Sequence, residues 1–302
     1  MLASLSIDLD ALEHYHRIHG LPERAPGDDP VYGKAVERFG ELCARLGLRG
    51  TAFCVGLNLA DPAAAAAVRR LAAAGHELGN HSLSHDYALS RRPAAAIAAE
   101  VEGGAAAIAA VTGARPVGFR APGYTLSGPL VSALAAQGYR YDSSTFPALP
   151  YYLAKAAVLG TLALGARPSR AILDRPRVLA APRRPYRPRP DEPYAQGELP
   201  LLELPVATGL LGFPLTGTFV ATLPAWAVRL LRAGAARRPL LAIELHGVDL
   251  LDASDASPAL AARQRDLRVP AAEKLRRIER FVRSFGEREW LTLAEAAARL
   301  AA

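Results

Sequence analysis

Sulfur and lysine are scarce in this chain: among 302 residues there are two cysteines, one methionine and only three lysines, Lys34, Lys155 and Lys274. Cys43 and Cys54 stand in stretches that read as helix and strand, and neither has a CxxC partner. That excludes a disulfide framework or a cysteine metal cluster and fits small buried residues in a reducing compartment. A secretory leader is also missing from the reading, because Asp8 arrives before an apolar leader core could be complete, so the protein is expected in the cytoplasm. No apolar run spans a bilayer. The most membrane-like one, Tyr151 to Ala166, is interrupted by Lys155 and too short for a hydrocarbon core of about 30 Å. Aromatic residues make up 7% of the chain, and no aromatic-interleaved basic motif of a known nucleic-acid reader module accompanies the charge. The formal charge of +7 therefore does not imply a nucleic-acid partner, although it leaves a surface attracted to phosphate or anionic lipid.

What is abundant is alternation. Short apolar runs rich in β-branched and aromatic residues are expected as strands at Ala3 to Leu9, Thr51 to Val55, Glu77 to Gly79, Pro116 to Arg120, Tyr139 to Ser143, Leu201 to Val206, Leu240 to Leu245 and Trp290 to Leu293. Between them, helical spacing marks Val31 to Leu46, closed by Gly47, and Pro62 to Ala74, capped by Asp61 and closed by Gly75. Further helices are expected over Ala94 to Val111, Gly128 to Gln137, Ala271 to Phe285 and Glu295 to Ala301. Ala11 to Pro30 reads as a loop over the site, with His14, Tyr15, His16 and His19 facing substrate or solvent. Strand and helix in turn imply an α/β fold, a distorted (β/α) barrel of about seven parallel strands in one domain. The rhythm breaks at about 146–200, an insertion with an apolar stretch followed by Arg167, Arg170, Arg175, Arg177, Arg183, Arg184, Arg187 and Arg189.

Barrels of this kind put their chemistry at the C-terminal ends of the strands, and polar residues gather there. His81 and His85, in HELGNHSLSH, are four apart and would share one face of a helical turn. Two neutral imidazoles so placed can reach one divalent cation at about 2.0–2.1 Å. Asp8 and Asp10, at the end of the first strand, share a side of the pleat. Two histidines and one aspartate make three ligands and leave open positions for water and substrate. Arg120, Asp142, His246 and Asp249 also lie at strand ends. Together these side chains suit metal-assisted hydrolysis of an amide or ester.

The motifs resemble those of the polysaccharide deacetylase family, carbohydrate esterase family 4, also called the NodB-homology domain. SIDLDA resembles a variant of its first motif, which implies Asp8 as base and Asp10 as metal ligand. HSLSH resembles the second, which implies His81 and His85 as ligands. Arg120, Pro122 and Tyr124 resemble the third, implying that Arg120 keeps Asp8 ionised and that an amide near Gly123 or Tyr124 faces the oxyanion. Leu245-His246 resembles the fifth, with His246 as catalytic acid. The Asp-Trp motif that tunes the acid has no counterpart, since Tyr141-Asp142-Ser143-Ser144 lacks Trp; Asp142 and Asp249 are left as the supporting carboxylates.

The resemblance implies a metal-dependent N-deacetylase, with zinc as the expected ion and a carbohydrate substrate, polymeric or lipid-linked. A deformylase or cyclic amidase would share its chemistry. A non-haem iron oxygenase also uses two histidines and a carboxylate but needs neither a spare base nor an acid, and a degenerate carbohydrate-binding protein would not keep every ligand. The composition of 151–189, apolar and then arginine-rich, predicts a peripheral contact with the inner membrane; a homo-oligomer through the same segment is the alternative.

Overall fold

A computed structural model describes residues 1–22, 27–164 and 171–301. In chain order these form β1 (Leu2–Asp8), α1 (Leu12–Ile18), α2 (Val36–Leu46), β2 (Thr51–Cys54), α3 (Pro62–Ala73), β3 (Glu77–Asn80), α4 (Ala94–Thr112) and β4 (Gly118–Phe119). There follow α5 (Gly128–Ala136), β5 (Tyr141–Asp142), α6 (Leu149–Leu164), β6 (Leu202–Glu203), α7 (Gly217–Thr222), α8 (Ala225–Arg232), β7 (Leu240–His246), α9 (Pro258–Arg263), α10 (Ala271–Arg283), β8 (Glu289–Trp290) and α11 (Leu293–Ala301).

All strand pairings among the described residues are parallel, in the order β6-β5-β4-β3-β2-β1-β7, with β8 also pairing β1. β1 explains how one strand takes three partners. Its first residues pair β8, its last three pair β2, and its whole length pairs β7 on the other edge. Beyond β6 a parallel bridge joins Val206 to Ala242 of β7, so the sheet curves back on itself as a distorted barrel. Every residue of β1 is buried, as a strand covered on both faces requires. The largest core cluster packs Leu5, Ile7 and Leu9 with Phe39 and Leu42 of α2 and Ile278 of α10.

Local chemistry sets the helix ends. Asp61 accepts from the Ala63 amide at the head of α3, and Gly47, at φ 66°, ends α2 in the left-handed conformation that glycine adopts without steric cost. One expectation is corrected and two elements are added. The stretch 11–30 is not a plain loop: α1 lies within it and buries His14 and His16, because Leu12 and Tyr15 supply an apolar face for the core. The insertion holds a regular helix, α6, over the apolar run. Gly217 to Arg232, passed over in the sequence pattern, folds as α7 and α8. Arg167 and Arg170 lie outside the described residues. α4 is long and apolar enough to cross a membrane by length and composition, but its Ile97 and Val101 pack with Leu130, Val131 and Leu134 of α5 in one buried cluster.

Candidate active site

Register brings the site together. In the β1–β7 pair Ser6 lies beside Glu244 and Asp8 beside His246. Residues two apart on a strand point to the same face, so these four polar side chains form one patch at the strands' C-terminal ends. Asp8 Oδ1 accepts from Arg120 at 2.6 Å. Arg120 is wholly buried and is held by Ser6 Oγ and by the carbonyl and hydroxyl of Ser143, with its guanidinium over the Phe53 ring. The cation is thus pinned from four sides, and its position is set before any ligand arrives.

His81 and His85 do not share a helical turn. They stand on an irregular loop after β3, where Ser82 (φ 64°) and His85 (φ 56°) take left-handed conformations uncommon for residues with a Cβ. The Ser82 hydroxyl accepts from the His85 amide, Glu100 of α4 holds Ser84, and Asn80 binds the Val101 carbonyl and the Tyr139 hydroxyl. A Cβ on Gly104 would fall 2.2 Å from Asn80 Oδ1, so α4 can pass this close to the loop only with glycine there. The result matches what the helical reading expected by another route: both Nε2 atoms point at Asp10, at 3.2 Å for His81 and 3.1 Å for His85.

The donor set fits a divalent cation. Asp10 Oδ1 and both ring nitrogens of His85 are buried without a hydrogen-bond partner among the described residues, a costly arrangement unless something binds them. Donor atoms of Asp10, His81 and His85 lie within 4.8 Å of one another. The His81 Nδ1 sits 2.6 Å from the Arg120 carbonyl, which leaves Nε2 as the free lone pair. Burial disfavours a charged His81, yet Asp8 and Asp10 hold its pKa above the usual imidazole value. Carboxylates that draw protons onto imidazoles mark a centre short of positive charge. His14, 4.2 Å from the His85 ring, is lowered to about 3 by burial and by His85 and stays neutral behind it.

On the opposite flank His246 Nδ1 lies 2.8 Å from Glu244 Oε1, and Nε2 lies 3.3 Å from the Tyr124 hydroxyl and 3.9 Å from Asp10 Oδ2. Burial opposes charge on this ring too, but Glu244, Asp10 and Asp8 outweigh it and hold its pKa well above the usual value. Glu244 is the residue that motif reading missed; the signal was Glu-Leu-His, two residues sharing one face of a strand. Asp249 does not orient the imidazole. Its carboxylate accepts from the His246 backbone amide at 2.8 Å and from the Thr218 hydroxyl at 2.7 Å. Asp142 stays off the cavity, beside Glu203 in the β5–β6 register, and accepts from Ser144. Tyr124's amide is committed to the Ala121 carbonyl at 3.0 Å, so of the two expected oxyanion donors only that of Gly123 remains.

These groups open on a cavity of about 410 Å³ lined by Asp8, Asp10, His81, Glu244 and His246, by Tyr15 of α1 and by Tyr151 and Lys155 of α6. A separate cavity of about 480 Å³ between α8 and α10 contains one carboxylate, Glu273, which Arg276 and Arg277 already engage.

Fold and site together define an α/β barrel with three residues able to hold a metal ion, a guanidinium-held carboxylate and an imidazole beside a carboxylate at one mouth. Residues 28–141 match the polysaccharide deacetylase family model, the family that the motifs resemble. A protein from Mycobacterium smegmatis that carries the name of a polysaccharide deacetylase has the same fold, with a TM-score of 0.61 at 17% identity over 99% of this chain and 89% of that one. A family 4 carbohydrate esterase pseudoenzyme from Bacillus anthracis superposes with a TM-score of 0.50 at 10% identity, over 98% of this chain and 65% of that one. No curated protein matches the sequence.

Proposed function

We propose that the protein is a metal-dependent hydrolase that removes the N-acetyl group from an amino sugar of a polysaccharide or lipid-linked glycan precursor. The observation that supports this reading most is the register pairing of Asp8 with His246 across β1 and β7, which brings a candidate base and a candidate acid beside the Asp10, His81 and His85 donor cluster. A divalent ion held there, zinc by the nitrogen and oxygen donor set, would act as Lewis acid toward the acyl carbonyl and lower the pKa of water. Asp8 takes the proton of the attacking water while Arg120 and Ser6 hold its neighbourhood fixed. Protonated His246 then gives its Nε2 proton to the leaving amine, with Glu244 keeping Nδ1 oriented. The Gly123 amide faces the developing oxyanion.

Fold alone does not guarantee activity, so the test is direct. Purified protein should contain about one equivalent of divalent metal and release acetate from an acetamido sugar, and neither should occur with Asp10→Ala. Formate release from a formamido sugar with no acetate from any sugar would keep the chemistry and change the acyl group. Turnover that depends on a 2-oxo acid and oxygen would overturn the reading.

A cytoplasmic site of action is part of the proposal, and two free, buried cysteines support it. A contact with the inner membrane is supported by α6, whose Leu153 and Val158 are 57% and 53% exposed, and by the arginines that follow. Salt-sensitive binding to anionic liposomes should be lost when Arg183, Arg184, Arg187 and Arg189 become Ser; Arg189, already bound to Asp191, should contribute least. If the protein fails to cosediment at low ionic strength, the contact is with a second copy or absent, which sedimentation velocity decides.

A further inference from the structure

Lys155 has no place in the chemistry above, yet it is the only Lys or Arg among the described residues lining the cavity. It comes from α6, the inserted helix, and crosses to the third-motif turn, where Nζ donates to the Gly123 carbonyl at 3.1 Å. A Cβ on Gly123 would lie 3.5 Å from the same amine, so the ammonium stands directly over the turn whose amide faces the oxyanion. No described carboxylate lies within ion-pair distance of it. Burial draws its pKa down to about 8 while Asp174 pulls the other way, which leaves it a cation at neutral pH. An ammonium has three donors; one bonds the Gly123 carbonyl, and beside the Tyr151 ring, 5.7 Å away, two are left for a ligand in the cavity that Lys155 lines.

The other ionisable groups on the wall are Asp8, Asp10 and Glu244, with His81 and His246 already facing those carboxylates. A neutral sugar would need no lysine here, since the aromatic rings of Tyr15, Tyr87, Tyr124 and Tyr151 already offer faces for a pyranose. Holding an ammonium in an aromatic pocket costs desolvation. That cost is offset if a ligand anion completes the lysine's hydrogen bonds, and charge-assisted bonds of this sort are among the stronger ones.

Building on the deacetylase reading, we propose that Lys155 forms an anion subsite, and that the substrate sugar carries a phosphate or carboxylate a short distance from its acyl group. The inserted helix then serves as a selectivity wall: the barrel supplies the hydrolysis, and α6 decides which acylated sugar is held.

Calorimetric titration of the full-length, metal-loaded protein tests this, in an Asp8→Asn background so that ligand is not consumed. The probes are N-acetylglucosamine 1-phosphate, N-acetylmuramic acid and the neutral methyl glycoside of N-acetylglucosamine. One charged probe should bind about 10- to 100-fold tighter than the neutral one, and which one does so tells phosphate from carboxylate. Lys155→Met should abolish the difference while leaving the neutral probe's affinity unchanged, and Lys155→Arg should keep part of it; thermal unfolding of each variant controls for folding. Equal affinity for all three probes in the unsubstituted chain would overturn the subsite. So would Lys155→Met weakening charged and neutral probes alike, since that marks a latch holding α6 to the turn. Discrimination that persists while no sugar releases acetate would retain the subsite and reject the deacetylase reading.

Discussion

Asp10, His81 and His85 are almost wholly buried and converge from the end of β1 and a single loop after β3, whereas on the other flank the His246 side chain is 24% exposed and faces Glu244 of its own strand and Tyr124 of the third-motif turn. The first flank is held by several hydrogen bonds: its loop is tied to α4, and Arg120 holds Asp8, the proposed base. The second is a single imidazole at the cavity mouth, charged by its neighbours and open to a leaving group. A centre that must hold an ion requires fixed donors, and an acid that must release a proton requires access. The difference between the flanks is the difference between those two tasks.

The largest effect is expected on the buried flank. His85→Ala removes one of three donors and leaves Asp10 Oδ1 buried with one imidazole fewer. Bound metal should fall from about one equivalent to a small fraction, and turnover should drop by several kcal/mol of lost Lewis-acid stabilisation, ~10³-fold or more. Metal analysis checks this beside far-ultraviolet circular dichroism, which should be little changed because the loop's ties to α4 remain. Full metal retention would remove His85 from the ligand set.

A middle effect is expected on the open flank. Glu244→Gln keeps the metal and the shape of the site but withdraws the negative charge 2.8 Å from His246 Nδ1. The rate on an amide should fall roughly tenfold to a hundredfold, less than the ~10²–10⁴ expected for loss of the acid itself, and an activated ester should barely respond. The pH profile carries the sign. In the proposed mechanism His246 acts in its protonated form, and Glu244 helps raise its pKa, so the alkaline fall in rate should move to lower pH in the variant. The same raised pKa contributes stability that is full below the unfolded value of about 6.5 and is lost as pH rises through the folded value; Glu244→Gln should flatten that dependence. An alkaline limb that does not move would leave Glu244 a packing residue.

The two flanks also differed in how well they could be read from sequence. His81 and His85 are visible because four-residue spacing with serine between them is a motif whether the backbone is helical or, as here, a strained loop. Asp8 and Asp10 are visible because they end an unbroken apolar strand. The parallel strands and most helix ends follow from apolar period and from caps such as Asp61 and Gly47. What could not be read depends on contacts between distant elements. Ser6 meets Glu244 only through the β1–β7 register, and Lys155 reaches Gly123 only because α6 folds back over the third-motif turn. The burial of His14 depends on α1, seven residues long, whose apolar face is too short to show a period. Asp249, left by the sequence as a supporting carboxylate, finds its particular role for a related reason: three residues after the strand end, it turns back to the His246 backbone amide rather than to the ring.

That role yields the smallest and most discriminating effect. Asp249 is buried; burial raises its pKa while His246 lowers it, and its two oxygens serve the His246 amide and the Thr218 hydroxyl. In Asp249→Asn one acceptor becomes an NH₂ donor facing a group that already donates, so one of the two bonds is lost inside the core. The expected cost is about 1–3 kcal/mol of stability, read as a lower denaturation midpoint with an unchanged urea slope. Activity below that midpoint should stay within about threefold of the original, a loss under the ~1.36 kcal/mol that a tenfold change represents, and the alkaline limb should not move. Opposite behaviour in Glu244→Gln, a displaced limb with a midpoint change confined to pH below the folded pKa of His246, would separate the carboxylate that tunes the proposed acid from the one that only holds its strand end. If instead Asp249→Asn shifts the limb as far as Glu244→Gln does, the acid is tuned by both carboxylates, and the division of labour drawn here between ring and backbone fails.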